Sequence, residues 1–182
     1  GVAWLGHTCL SCRFCKNGQE NLCKKSLYTG YHLPGGYAEY LVADESYIYA
    51  LPDSYSDEEI APLLCAGIIG YRAYKKSRAK KGQKLGLIGF GSSAHITMQV
   101  AQHQGCEIHV ATRDTKHQNL AKKMGAQSVS DGKLPFKEKM DSIIVFAPAG
   151  NLVPIALQSL IEGGTCALAG IHMSDIPSMA YE

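Results

Sequence analysis

Gly89-Phe90-Gly91-Ser92-Ser93-Ala94 is a G-x-G-x-x-A string, and its setting constrains this chain more than any other feature. It ends the apolar run LGLIGF at 85–90 and opens SSAHITMQVAQHQG, where Ala94, Met98 and Ala101 recur at helical spacing before Gly105. Glycines end many strands, so the string alone says little. Its position at a strand-to-helix junction says more. There the first glycine makes a tight turn, the second lets a phosphate approach the backbone, and a small third residue lets helix and strand pack closely. The helix N-terminus adds N–H donors and a partial positive charge. Gly89, Gly91, Ser92 and Ser93 are thus candidates for holding a dinucleotide's pyrophosphate.

The alternation then continues. EIHVAT at 107–112 reads as a second strand, a helix spans about 116–124 before Gly125, and a short strand sits near Ser128. DSIIVFAP at 141–148 is a further strand, LVPIALQSLIEGG a further helix, and TCALAG at 165–170 the last strand. Strand and helix in this order predict the α/β class, a doubly wound parallel sheet with helices on both faces. In such sheets an acid ending the second strand bonds the ribose 2′-hydroxyl of NAD. Spacing from the glycines puts Thr112 there instead, followed by Arg113, with Lys116 and His117 nearby. Losing an anion and gaining a guanidinium suits a 2′-phosphate, so NADP(H) is expected over NAD(H). The competing reading makes Arg113 an ordinary surface residue whose field Asp114 blunts.

Upstream lies a different kind of signal. Cys9, Cys12, Cys15 and Cys23 form C-x2-C-x2-C-x7-C, four of the chain's seven cysteines. An odd total argues against a complete disulfide framework. A bacterial ferredoxin run would continue C-x3-C-P, whereas here seven residues intervene and Lys24 follows, which argues against an iron–sulfur cluster. Zinc held by four thiolates is favoured over both. Residues 16–21 are turn formers, so the metal is expected to shape this lobe. His7 reads as a turn or surface histidine, and Cys106 and Cys166 as core residues. His172 and Asp175 follow the last strand, where doubly wound folds place ligands.

Composition narrows the class. The chain has 182 residues, 46% of them apolar, and a formal net charge of +2, which suits one large or two small globular domains without a polyanion surface. Its longest apolar stretch, IAPLLCAGIIG at 60–70, is too short to span a bilayer, and the chain start lacks the order of a signal peptide. A soluble, cytoplasmic protein is expected, with a small-molecule substrate and neither nucleic acid nor membrane as partner. GGYAEYLVADESYIYALP at 35–52 suggests β-strands of a small barrel or sheet. Ser56 and Glu59 have capping-box spacing ahead of an apolar run to Tyr74, where one or two helices begin. The lysines of KKSRAKKGQK at 75–84 read as a solvated face.

Together the four-cysteine lobe, PLLCAGIIGYRA at 62–73, the G-x-G-x-x-A turn with His95, and AGIHMSDIP at 169–177 resemble the zinc-dependent alcohol dehydrogenases of the medium-chain dehydrogenase/reductase family. The resemblance covers nearly the whole chain. It implies part of a GroES-like β-barrel catalytic domain with its zinc lobe over 1–66, then a Rossmann domain, truncated at its C-terminus, over 67–182. It also implies a structural zinc on Cys9, Cys12, Cys15 and Cys23, and Cys65 as one ligand of a catalytic zinc. In the family that metal acts as a Lewis acid while hydride passes between the alcohol carbon and the nicotinamide. The family's other catalytic ligands and proton relay lie upstream of the lobe. The chain is therefore expected to correspond to the middle of a longer enzyme, inactive as given, with homo-oligomers usual for the family. The alternative is a non-catalytic, zinc-stabilised nucleotide-binding module or redox sensor.

Overall fold

A computed structural model describes residues 1–180. The chain separates into two compact units, Gly1–Cys65 and the residues from Ala66 onward.

The first unit has little regular structure. Strands β1 (Leu5–His7) and β2 (Leu27–Tyr28) pair antiparallel, with Leu5 opposite Tyr28 and His7 opposite Leu27. The loop between them carries a single helical turn, α1 (Arg13–Lys16), and a 3₁₀ turn at Glu20–Leu22. Residues 35–52 do not form the strands expected of them: a 3₁₀ turn at Glu45–Tyr47 and a lone bridge from Val2 to Ile48 are the ordered features there. The strand-favouring residues Tyr37, Tyr40 and Val42 are present, but all three side chains stand almost fully in solvent. A strand exists only where a neighbour satisfies its backbone groups. Among the described residues no strand pairs with residues 37–42, and only the chain start, at Gly1 and Val2, meets the stretch near Ile48 and Tyr49. The capping box does form: the Ser56 hydroxyl accepts from Glu59 N–H and the Glu59 carboxylate from Ser56 N–H, opening α2 (Asp57–Ile60). A 3₁₀ turn at Ala61–Leu64 follows.

In the second unit α3 (Ala66–Ser77) precedes five parallel strands: β3 (Lys84–Ile88), β4 (Glu107–Ala111), β5 (Ser128–Ser130), β6 (Met140–Val145) and β7 (Leu160–Leu168). Their order in the sheet is β5-β4-β3-β6-β7, so the winding reverses at β3. Helices α4 (Ser92–His103), α5 (Thr115–Lys123) and α6 (Leu152–Gln158) make the crossovers. One apolar layer joins Tyr74, Leu85, Leu87, Met98, Ile108, Val110 and Ala121, hence α3, α4 and α5, on one face. The other joins Ile88, Ala111, Ile143, Val145 and Ala156, hence α6, on the opposite face. Alternation along β3 feeds both layers, Leu85 and Leu87 to one and Ile88 to the other. A fully buried leucine contributes roughly 1.5–3 kcal/mol.

The helix read through Gly164 is shorter than expected. It stops at Gln158 because the fully buried Ser159 turns the chain, its hydroxyl donating to the Ile155 carbonyl at 2.8 Å and accepting from Phe136 N–H at 3.0 Å. Leu160 then already belongs to β7, with a turn through Gly163 before the register resumes at Thr165 opposite Ser142.

Candidate metal centre and nucleotide cradle

In the first unit the sulfurs of Cys9, Cys12, Cys15 and Cys23 lie within 4.8 Å of one another. Individual separations are 3.6 Å for Cys9 to Cys23, 3.5 Å for Cys12 to Cys15 and 4.0 Å for Cys9 to Cys15. Four thiolates at about 2.3 Å from a tetrahedral zinc would stand about 3.8 Å apart. The donor set and spacing therefore fit that ion. None of the four sulfurs is in a disulfide.

Backbone folding aims dipoles at this cluster. Cys12 N–H donates to Cys9 Sγ at 3.3 Å and Lys25 N–H to Cys23 Sγ at 3.4 Å. The Cys9 thiol is lowered to about 5, first by the backbone N–H of Ser11, and the Cys12 thiol is lowered chiefly by the backbone N–H of Cys15. Cys15 behaves oppositely. The Thr8 hydroxyl beside it favours the thiolate, but desolvation and the three surrounding sulfurs outweigh that and raise the Cys15 thiol to about 11. His7 is not in the cluster. Its Nδ1 faces Asp44 Oδ2 at 3.4 Å on the surface.

Cys65 stands apart. It is exposed, follows the Ala61–Leu64 turn at φ −128°, ψ −74°, and its N–H reaches the Pro62 carbonyl at 3.4 Å. Among the described residues, no group of three or more possible metal ligands includes it.

The cradle lies in the second unit, at the C-terminal end of β3 where the winding reverses. Gly89 holds φ +90°, and a Cβ there would come within 2.9 Å of Ala147 N in the loop after β6, so only glycine serves. Its N–H donates to the Ala111 carbonyl of β4 at 2.8 Å, which ties the turn to that strand. Phe90 and Ala94 are buried against the sheet. Gly91 is different: it N-caps α4 without a side-chain cap, and a Cβ on it would meet nothing within 4 Å. The first bond into the helix is from His95 N–H to the Gly91 carbonyl, so the N–H groups of Ser92, Ser93 and Ala94 point out of the helix end toward open space. A pyrophosphate fits that arrangement.

At the end of β4 the Thr112 side chain is buried, its N–H bonded to the Ser130 carbonyl at 2.9 Å and its carbonyl to Gln118 Nε2 at 2.8 Å. Arg113 is exposed. The Asp114 carboxylate is engaged in capping α5, accepting from Lys116 N–H at 2.7 Å and His117 N–H at 3.2 Å. His172 and Asp175 are exposed in the loop after β7, which Ser174 ties to the loop after β6 by accepting from Gly150 N–H at 2.9 Å. Cys106 is buried and Cys166 half-buried against the second apolar layer.

Comparison with known proteins agrees with both units. Residues 1–53 match the alcohol dehydrogenase GroES-like domain family. All of the chain aligns at 50% identity with "Probable alcohol dehydrogenase AdhA" of Mycobacterium tuberculosis, covering 53% of that protein. It aligns at 35% identity with an alcohol dehydrogenase of Geobacillus stearothermophilus, covering 56% of it. Among solved structures, the CAD of Helicobacter pylori complexed with NADP(H) superposes on all of this chain with a TM-score of 0.87 at 31% identity, over 55% of that chain. These likenesses support the resemblance to the zinc-dependent medium-chain alcohol dehydrogenases. The chain spans about half the length of the curated relatives it matches. That likeness accounts for a GroES-like unit followed by a doubly wound sheet. Among the described residues no helix is long and apolar enough to cross a membrane.

Sequence reasoning missed Thr8 and Tyr47. Thr8 is 1% exposed and Tyr47 5% exposed, with Thr8 Oγ1 2.7 Å from the Tyr47 hydroxyl and 3.4 Å from Cys15 Sγ. A threonine beside a cysteine motif carries no signal of its own, since its burial arises from a partner 39 residues away.

Proposed function

We propose that this chain contributes a structural zinc lobe and a dinucleotide-binding unit to a dehydrogenase that interconverts small-molecule alcohols and aldehydes or ketones with NADP(H), as a homo-oligomer.

 The proposal takes 1–66 as part of the catalytic domain and 67–182 as the nucleotide domain. The observation that carries it is the cradle: an uncapped helix end, with Gly91 facing open space, at the reversal point of the sheet. When bound, the nicotinamide supplies the hydride acceptor or donor, and a catalytic zinc polarises the alcohol oxygen.

The chain's own residues have narrower tasks. Gly89 makes the turn, Gly91 leaves room for the pyrophosphate, and the N–H groups of Ser92 and Ser93 hold it. Arg113 pairs with the 2′-phosphate at a strand end where Thr112 replaces a carboxylate and Asp114 is occupied in capping. The NADP(H) complex of the Helicobacter pylori relative supports this cofactor choice. Cys9, Cys12, Cys15 and Cys23 hold the structural zinc, and Cys65 serves as one catalytic-zinc ligand. A catalytic zinc needs about three protein ligands. Because Cys65 has no such company among the described residues, the 182-residue chain by itself is proposed to bind dinucleotide without appreciable turnover. That same isolation favours the second reading, a non-catalytic zinc-stabilised module.

Calorimetric titration of the zinc-loaded chain with NADP(H) and NAD(H) tests the cofactor. NADP(H) should bind more tightly, Thr112→Asp should reverse the order by a few kcal/mol, and Gly91→Val should abolish binding of both. Tighter binding of NAD(H) to the unaltered chain would refute the choice. An assay with NADPH, zinc and a panel of aldehydes tests the rest. Turnover by the chain alone would show that its catalytic ligands have been misplaced, and would dispose of the non-catalytic reading.

A further inference from the structure

The four sulfurs do not receive their hydrogen bonds in the same way. Cys9 Sγ accepts from Cys12 N–H and Cys23 Sγ from Lys25 N–H, while the N–H of Cys15 favours the Cys12 thiolate. These donors belong to the backbone, and side-chain substitution does not remove them. Cys15 is the exception, because its partner besides the other sulfurs is the Thr8 hydroxyl at 3.4 Å. Thr8 is 1% exposed, at the end of β1, and its oxygen also meets the Tyr47 hydroxyl at 2.7 Å.

Proton accounting orients this chain of groups. A thiolate on zinc has no hydrogen to give, so the Thr8 hydroxyl must donate to Cys15 Sγ. The Thr8 oxygen is then free to accept, and the Tyr47 hydroxyl, 2.7 Å away, supplies the hydrogen. Tyr47 belongs to the 3₁₀ turn at Glu45–Tyr47, whose entry is fixed by the Asp44 carboxylate accepting from Ser46 N–H at 3.0 Å. The relay thus joins the metal lobe to a segment far away in sequence. Groups that hydrogen-bond a metal ligand orient it and tune its donor strength, and their loss typically costs 10–100-fold in metal affinity.

We propose that Thr8, oriented by Tyr47, is a positioning residue for the metal centre, donating the hydrogen bond that holds Cys15 Sγ in place as a zinc ligand. This rests on the reading of the cluster as a zinc site.

The test uses the full 182-residue chain. Zinc content is measured first, and then the rate of zinc release to a chromogenic chelator is compared among variants. Thr8→Val, which keeps the shape and removes the hydroxyl, should release zinc roughly 10–100-fold faster. Thr8→Ser should restore the rate to within a few-fold of the original, and Tyr47→Phe should fall between. Equal rates in the Val and Ser variants, whether both fast or both unchanged, would overturn the role of Thr8. A zinc content near zero in the unaltered chain would instead sink the zinc reading itself. Should Thr8→Val fail to fold, the Co2+-substituted Tyr47→Phe protein gives the answer. Its thiolate-to-cobalt absorption should move to longer wavelength as the relay weakens, and an unmoved band would overturn the proposal.

Discussion

From Ala66 onward, Leu85, Leu87, Met98, Ile108, Val110, Ile143 and Ile144 are buried essentially completely. In Gly1–Cys65 the buried apolar residues are Ala3, Cys23, Tyr47 and Ile60, while Tyr31, Tyr37, Tyr40 and Val42 stand in solvent. The second unit orders itself around side-chain packing and the first around a point where four sulfurs converge. Apolar burial scales with area and is shared by many residues. Metal ligation concentrates the stabilisation in a few bonds. Loss of one component should therefore be graded in the sheet and all-or-none in the lobe.

Removing the metal should have the largest effect. Zinc-finger peptides draw about 10–16 kcal/mol of apparent binding free energy from their ion. Chelation should abolish amide-exchange protection across residues 8–26 while β3, β4 and β6 keep theirs. Loss of protection in both units together would break the distinction. Next comes Leu87→Ala, fully buried in the sheet, which should lower urea stability of the second unit by about 2–5 kcal/mol and leave zinc content unchanged.

A smaller effect concerns Asp114. Hydrogen bonds first from His117 N–H and then from Lys116 N–H hold its carboxyl below the usual carboxylate range. With the folded value depressed, the capping contribution is complete above the unfolded pKa of about 3.9 and is lost as pH falls through the folded value. An NMR titration of the carboxyl should give a value under the ordinary one, and Asp114→Asn should remove the acid dependence of α5. A carboxyl titrating at or above its ordinary value would contradict the cap. Smallest of all, Tyr37→Ser and Val42→Ser should change the stability of this chain by no more than about 0.5 kcal/mol, as surface substitutions do. A large loss in urea denaturation would show that these side chains are packed.

The sheet was legible because its signals are local. Period and punctuation placed β3, β4, β6, α4 and α5 to within three residues at each end, since each strand buries both faces and each helix stops near a glycine. The failures share a cause. Tyr37, Tyr40 and Val42 are strand-favouring residue types, but composition cannot supply the partner that a strand requires. LIEGG continued a helical pattern, yet Ser159 made two buried hydrogen bonds, one of them to Phe136, and ended the helix early.

What the sequence by itself determined is whatever depends on residues close together in the chain. The cysteine spacing specified a convergence of four sulfurs, the glycine spacing a tight strand-to-helix turn, and Ser56 with Glu59 a helix start. Tertiary structure alone decided the relations between distant residues. It brought the Tyr47 hydroxyl onto Thr8, and it set the loop after β6 so close to Gly89 that no side chain fits there. It also kept the Asp114 carboxylate on its own helix, leaving Arg113 exposed beside a buried Thr112. Hydrogen bonds and steric exclusion act over a few ångströms in space, and sequence separation does not reveal which residues the fold will bring within that range.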